Sequence, residues 1–335
     1  MKKALITGVT GQDGSYLAEF LLNRGYQVFG LIRRNSDLAT SRIDHIYEQI
    51  SWDRSGRFQT FYADMTDGVN LTRILSETLP DEIYNLAAQS HVKISFEVPE
   101  YTANVNGLSV LRFLEAIRQN CPEAKFYQAG TSEMFGNLKS PQLIQNGFSP
   151  QSPYASAKCF AHSVVENYRN AYGLHATNGV VFNHESPRRG KNFVTKKIVD
   201  TVCKIKKNEA SELRLGNLHT KRDWGYAPEY VVAIWKLLNL QEPTDSTIAT
   251  GVSTSVEEFA NYCFELLGLN PKDYIVPNTT ENLRINEVYD LRGDPKDIES
   301  KINTTIKVKW KQVCEIMVDS ALSGKRDEIL WNDFI

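Results

Sequence analysis

Thr131-Ser132-Glu133 closes an apolar, strand-like run, and Tyr154-Ala155-Ser156-Ala157-Lys158 follows downstream. Tyr154 and Lys158 stand at i and i+4, on one face of any helix that carries them. A lysine ammonium beside a phenol stabilises the phenolate and lowers its reference pKa of about 10 toward neutrality. Such a phenolate can take the proton of a hydroxyl as hydride leaves the same carbon, and Thr131 can hold that hydroxyl by hydrogen bonding. Glu133 adds a second capability. Strand ends in open α/β sheets face the ligand crevice, so a carboxylate there can remove a carbon-bound proton and help expel water. The set is equipped for dehydration coupled to internal redox chemistry rather than for plain oxidation of a hydroxyl.

Hydride chemistry requires a cofactor, and the N-terminus offers a place for one. Gly8-Val9-Thr10-Gly11-Gln12-Asp13-Gly14 follows the strand-like run 3–7 and opens a helical pattern over 15–24. Glycines at such a turn let the backbone approach a pyrophosphate, which then sits at the positive end of the helix. The second strand ends in Arg33-Arg34, where an acidic residue would grip the ribose of NAD. A carboxylate there repels a 2′-phosphate, whereas a guanidinium bonds it, so the cofactor is expected to be NADP. Asp64, ending the third strand, is read either as a contact to the adenine edge or as a cap at a helix start.

These residues need a scaffold. Strand-like runs at 27–32, 58–63, 82–87, 125–130 and 177–182 alternate with helical stretches such as 68–78, and Tyr154 and Lys158 fall on the helix between the last two strands. That alternation predicts an α/β, Rossmann-type doubly wound parallel sheet. The expected division is a cofactor-binding domain over 1–182 and a smaller C-terminal substrate-binding lobe over 183–335, with later segments crossing back. Within that lobe 193–207, 228–238 and 256–267 read as helices, and 213–225 as strand and loop.

Composition narrows the function classes. Hydrophobic residues make up 41% and charged residues 23% of the 335, ordinary values for a globular protein. The formal net charge of -2 gives no electrostatic basis for binding nucleic acid or an acidic membrane surface. No apolar run approaches the roughly 20 residues needed to span a bilayer. Lys2-Lys3 leads into an apolar stretch only one strand long, so no secretory leader is expected. The 5 cysteines, at 121, 159, 203, 263 and 314, show no paired spacing, and the 6 histidines show no metal-ligand pattern. No metal site is expected, and a reducing cytoplasm is the simplest setting.

The chain resembles the extended short-chain dehydrogenases/reductases and, within them, the GDP-mannose 4,6-dehydratases. The resemblance runs through ALITGVTGQDGSYLAEFLL, IYNLAAQSHVKISFEVPEYTANVNG, YQAGTSEMFG, SPYASAKCFAH, FNHESPRRGKNFVTKKI and LGNLHTKRDWGYAPEYV. It implies a catalytic Thr131, Glu133 and Tyr154, with Lys158 as partner of the tyrosine. It implies NADP held by Gly8, Thr10, Gly11, Gln12, Asp13, Gly14, Arg33, Asp64, the stretch Leu86 through Ala88 to Ser90, Tyr101, His184 and Arg189. A GDP-sugar would then face Ser90, Asn183, Lys197, Gly216, Arg222, Arg284 and Glu287. In this scheme Arg222 neutralises the diphosphate, and Arg284 with Glu287 meets the nucleoside. The segment 33–43 resembles a loop that reaches a neighbouring subunit in a homo-tetramer.

Two departures from the family pattern stand out. Its Arg-Pro-x-Glu is Arg284-Ile285-Asn286-Glu287 here, and Gly130 replaces a serine, which is expected to loosen the pocket wall. The expected reaction oxidises sugar C4, eliminates water across C5 and C6, and reduces C6. The rivals are the same reaction on a GDP-heptose, a sugar-nucleotide epimerase or ketoreductase with no use for Glu133, and a non-catalytic NADP-sensing scaffold.

Overall fold

The computed structural model describes residues 1–34, 40–47, 56–277 and 285–335. The apolar runs form β1 (Lys3–Thr7), β2 (Gln27–Ile32), β3 (Phe58–Tyr62), β4 (Glu82–Asn85), β5 (Lys125–Ala129) and β6 (Ala176–Val181). These belong to a seven-stranded sheet in the order Ser246–Ile248, β6, β5, β4, β1, β2, β3. β1 pairs in parallel with both β2 and β4, so the order reverses around β1 and the sheet is doubly wound. The pairs β2–β3, β4–β5 and β5–β6 are parallel as well. All of β4, and β1 beyond Lys3, is buried, as a parallel sheet covered on both faces requires.

Helices accompany these strands, among them α1 (Gln12–Asn23), α2 (Gly68–Thr78), α3 (Val92–Glu97), α4 (Pro99–Ala103), α5 (Ser109–Asn120) and α6 (Pro153–Tyr172). Leu71 and Leu75 of α2, Phe113 and Ile117 of α5 and Val165 of α6 share one apolar cluster with Leu5, Ile83 and Phe126 of the sheet. Phe113 meets Phe126 edge-on with ring centroids 6.0 Å apart, and burying each such ring contributes about 1.5–3 kcal/mol. α1 begins at Gln12 rather than at residue 15, because Gly11 is its N-cap and the glycine turn runs straight into the first helical turn.

The chain divides into two compact units. The first comprises Met1–Met134, Ser152–Val180 and Val231–Ser246; the second comprises Phe135–Gln151, Val181–Tyr230 and Thr247–Ile335. The second contains β7 (His184–Glu185), β8 (Leu213–Leu215), β9 (Lys221–Asp223) and β10 (Gly225–Tyr226), so the stretch 213–225 resolves into short strands. The sheet strand Ser246–Ile248 is β11; β12 (Ser253–Ser255), β13 (Ile275–Pro277) and β14 (Asp290–Leu291) follow. Helices α7 (Val194–Lys206), α8 (Ala227–Leu238), α9 (Val256–Leu266), α10 (Pro295–Ile302) and α11 (Trp310–Ser323) complete the chain. α7, α9 and α11 bury Ile198, Val202, Phe259, Phe264 and Met317 around Trp224. Neither α10 nor α11 is among the helices the sequence pattern singles out. Among the described residues no helix is long and apolar enough to cross a membrane.

Candidate functional site

β5 ends at Ala129, and the chain then turns sharply. Gly130 N donates to Gly179 O at 2.9 Å, after which Ser132–Phe135 form one 3-10 turn. Thr131 Oγ1 accepts from Glu133 N at 3.3 Å, so the threonine organises the turn that displays the carboxylate. Both side chains are 8% exposed. α6 starts beside them in sequence space only after Ser152, whose Oγ caps the helix by accepting from Ala155 N at 3.1 Å, with Pro153 in the first turn. Tyr154 and Lys158 therefore lie on one helical face, 8% and 3% exposed respectively.

The Lys158 ammonium donates to Ala129 O at 2.8 Å, tying the helix to the strand that leads into Thr131. Burial pushes the Lys158 pKa down to about 8. At neutral pH such a group is still mostly charged and can stabilise an adjacent phenolate. The structure thus brings Lys158 to the end of β5 and places Thr131 and Glu133 on the turn that leaves it. Gly130 corrects an expectation. A Cβ there would meet Gly179 O at 3.2 Å and both Met134 Cε and Val180 Cα at 3.3 Å, so the glycine marks a tightly packed position rather than a loosened wall.

Behind these groups runs a buried polar chain that the sequence does not announce. Thr7 Oγ1 donates to Asn85 Oδ1 at 2.7 Å, and Asn85 Nδ2 donates to Gln128 Oε1 at 2.7 Å. Gln128 Nε2 then donates to Ala129 O at 3.1 Å, the same carbonyl that holds Lys158. Thr7 Oγ1 also accepts from Leu86 N at 3.0 Å and from Ala87 N at 2.9 Å. The ends of β1, β4 and β5 are therefore cross-linked from the glycine turn to the lysine. The only signal in the sequence is a polar residue near the end of each apolar run.

The glycine turn fits a dinucleotide pyrophosphate. Gly8 has φ +68, a left-handed conformation, and a Cβ on it would touch Ala87 backbone at 3.0 Å. A Cβ on Gly14 would lie 2.3 Å from Gly8 O, so only glycine lets α1 close against the turn. Gly11, the N-cap of α1, has no side chain to cap the first turn, so the backbone there can approach a phosphate closely. Thr10, Gln12 and Asp13 complete this stretch, and Arg42 Nη1 donates to Thr10 O at 3.2 Å.

Arg33 lies exposed beyond β2, and its Nη1 donates to Tyr101 Oη of α4 at 2.6 Å, so two residues expected at the cofactor are brought together. Asp64 instead accepts from Thr66 N at 2.9 Å and Thr66 Oγ1 at 2.7 Å. The cap of α2 is Asp67, which corrects the helix-start alternative for Asp64. Leu86 and Ala88 are half-buried after β4, and Ser90 is exposed.

In the second unit, His184 Nδ1 lies 2.7 Å from Phe182 O, and its ring stacks on Tyr230 at 4.6 Å. Arg189 pairs with Glu185 at 3.0 Å and lies over the Phe193 ring at 3.8 Å. Asn183 O accepts from Gly225 N at 2.9 Å. Lys197 on α7 is half-buried, as is Gly216, which follows β8. Arg222 on β9 is 6% exposed; its Nη1 donates to Lys221 O and Val288 O, both at 2.9 Å, and its Nη2 lies 4.0 Å from Glu287 Oε1. Arg284 lies outside the described residues, as do residues 35–39 of the segment 33–43.

Among the described residues, His162, Glu166 and Asp245 could offer atoms to a metal ion. Asp245, however, takes a bidentate pair from Arg169, at 2.7 and 3.0 Å, and accepts from Asn178 N at 2.8 Å. A guanidinium in that place opposes a bound cation, so the cluster is a charge network bracing α6.

The sheet order, the glycine turn and the buried Tyr154/Lys158 pair define a Rossmann-type fold of the short-chain dehydrogenase/reductase class. A family model described as GDP-mannose 4,6 dehydratase matches residues 5–317. The chain is 48% identical over 334 residues to GDP-mannose 4,6 dehydratase 2 of Arabidopsis thaliana, covering 98% of this chain and 89% of the relative. It is 46% identical to GDP-mannose 4,6-dehydratase of Vibrio cholerae, covering 95% and 93% of the two chains. The solved dTDP-glucose 4,6-dehydratase of Bacillus anthracis, in complex with NAD, superposes with a TM-score of 0.81 at 19% identity, covering 95% and 96%. The chain belongs to the GDP-mannose 4,6 dehydratase family.

Proposed function

We propose that the chain is a GDP-mannose 4,6-dehydratase, converting GDP-D-mannose to GDP-4-dehydro-6-deoxy-D-mannose. The observation that carries this reading is the buried Glu133 on the turn leaving β5, whose last carbonyl anchors Lys158. An epimerase or ketoreductase needs the tyrosine and lysine but has no use for that carboxylate. The relatives above are named for the mannose substrate, which favours a hexose over a heptose.

The residues would act in sequence. Tyr154, held as phenolate by Lys158, takes the C4 hydroxyl proton while Thr131 orients that hydroxyl. A bound nicotinamide supplies the reversible hydride acceptor and donor for C4 and C6. With C4 a ketone, the C5 proton becomes acidic, and Glu133 removes it. The protonated Glu133 then donates to the C6 hydroxyl, which departs as water, and C5 takes up a solvent-derived proton when C6 is reduced. A group serving first as base and then as acid works best with a pKa near the operating pH.

The cofactor would be held by the turn Gly8–Gly14, with Arg33 favouring the 2′-phosphate of NADP over NAD. We read the assembly as a homo-tetramer in the cytoplasm, with the segment around Arg33 near a neighbouring subunit; a monomeric mass by light scattering at micromolar concentration would overturn it. The test of function is incubation of purified protein with NADP and either GDP-mannose or GDP-heptose, with products weighed by mass spectrometry. Loss of one water from the mannose substrate is expected. An isobaric epimer, a simple oxidised sugar, or turnover of the heptose alone would replace this reading.

A further inference from the structure

The segment 286–292 carries Glu287 and β14, and β14 pairs with β9 so that Leu291 stands opposite Arg222. No proline restricts the backbone before it, since Ile285 occupies the position where the family pattern has one. Side chains from residues 137–151 hold it instead. Asn286 Nδ2 donates to Gln151 Oε1 at 2.6 Å. Ser140 Oγ donates to Asp290 Oδ2 at 2.8 Å. The fully buried Gln142 donates from Nε2 to Asp290 O at 3.0 Å and accepts at Oε1 from Arg292 N at 2.9 Å.

Asn137 makes the contact with the clearest consequence. Its Nδ2 donates to Glu287 O at 3.0 Å, and its Oδ1 accepts from Tyr289 N at 3.1 Å. One amide thereby grips the backbone on both sides of Val288, as a facing strand would. Val288 is 1% exposed, and its carbonyl is the acceptor that holds Arg222 Nη1. The same peptide unit is fixed from its other end, because Val288 N donates to Glu287 Oε1 at 3.2 Å, the carboxylate oxygen 4.0 Å from Arg222 Nη2. The plane of a guanidinium decides which anion oxygens it can reach in a two-point contact. A residue that fixes Val288 O therefore sets the direction in which Arg222 presents its charge.

We propose that Asn137 is a positioning residue for the nucleoside diphosphate part of the substrate, acting through Val288 on Arg222. This rests on the GDP-sugar reading given above. Asn137 is exposed, so its truncation should spare the fold while loosening the 287–289 backbone. GDP itself, which undergoes no chemistry, is the probe.

Isothermal titration of the wild type, Asn137→Ala and Asn137→Asp with GDP separates the possibilities. Asn137→Ala should weaken GDP binding about 3- to 10-fold, the factor expected of a lost hydrogen bond. Asn137→Asp should weaken it further, since a carboxylate would replace the donor facing Glu287 O. In steady-state assays KM for the sugar nucleotide should rise with kcat retained, while NADP affinity and Tm stay at wild-type values. Combined with Arg222→Lys, the Asn137→Ala effect should vanish, because non-additivity is the mark of action through a shared partner. Wild-type protein that fails to bind GDP would sink the functional reading. Wild-type binding with an unchanged Asn137→Ala affinity, an additive double mutant, or equal losses of GDP and NADP affinity would sink the positioning role alone.

Discussion

Lys158 Nζ bonds Ala129 O at 2.8 Å, which places a buried ammonium at the end of β5 and gives it a carbonyl rather than a carboxylate as its hydrogen-bond partner. Burial then dominates, and the group titrates near pH 8 instead of 10.5. If this charge holds Tyr154 as phenolate, kcat/KM should fall on the alkaline side as pH passes about 8, since that ratio reports the free enzyme. Lys158→Arg carries a charge that does not titrate in the accessible range. It should lower the rate yet move that alkaline limb above about pH 10. A limb left near 8 in the variant would assign it to another group.

The 2.6 Å bond from Arg33 to Tyr101 joins the end of β2 to α4, and in the proposed reading this guanidinium meets the ribose 2′-phosphate. Arg33→Asp should reverse the preference between NADP and NAD, changing the ratio of kcat/KM values by about 10-fold or more, because a carboxylate repels the phosphate and accepts from ribose hydroxyls. Tyr101→Phe should raise the KM for NADP more than that for NAD. Equal use of the two cofactors by the wild type would remove Arg33 from the argument.

Asp245 gives the fold a test of its own. Burial pushes its carboxyl upward, but hydrogen bonds from Arg169 and Asn178 outweigh that and leave it below its ordinary 3.8. The folded chain then binds fewer protons than the unfolded chain around and below that value. This stability is complete above the unfolded pKa and is lost as pH falls through the folded one. Asp245→Asn leaves Arg169 without its carboxylate and should cost about 3 kcal/mol at neutral pH, measured by denaturant unfolding. Its acid unfolding should also be shallower. A variant as stable as the wild type at neutral pH would mean that the network adds nothing to α6.

What was legible in the sequence follows from the range of each interaction. Strands such as β1 and β2 announce themselves because a parallel strand buried on both faces is a run of apolar residues, and the glycine turn because Gly8 and Gly14 have no tolerable substitute. Asn85 and Gln128 stayed hidden: the partner of Asn85 in one bond is Thr7, 78 residues away, and in the next Gln128, 43 away. The start of α1 is masked by its glycines, and of the two readings of Asp64 the helix cap fails because Asp64 and Asp67 are locally equivalent until the backbone turns. Asn137 looks like any loop asparagine until residues 287 and 289 arrive from 150 and 152 positions downstream.

Glu133 decides between chemistries, so its removal is the sharpest test. It is held on a turn by Thr131 Oγ1 and is 8% exposed, and a glutamine of the same size should leave that turn intact. In the proposed mechanism Tyr154 and Lys158 remain to handle the C4 hydroxyl, so oxidation should survive in Glu133→Gln. Elimination should stall, because an amide cannot accept the C5 proton and so cannot deliver one to the departing C6 hydroxyl. In a single turnover the variant should accumulate enzyme-bound NADPH, seen by its absorbance, and a 4-keto sugar that retains its C6 hydroxyl. Loss of a positioned acid–base group is expected to slow water loss by about 100-fold or more. The wild type should carry a C4 deuterium to C6 and take up one solvent hydrogen at C5. Dehydrated product at wild-type rate from the variant, or loss of the C4 label to solvent in the wild type, would require a different base and a different route for the hydride.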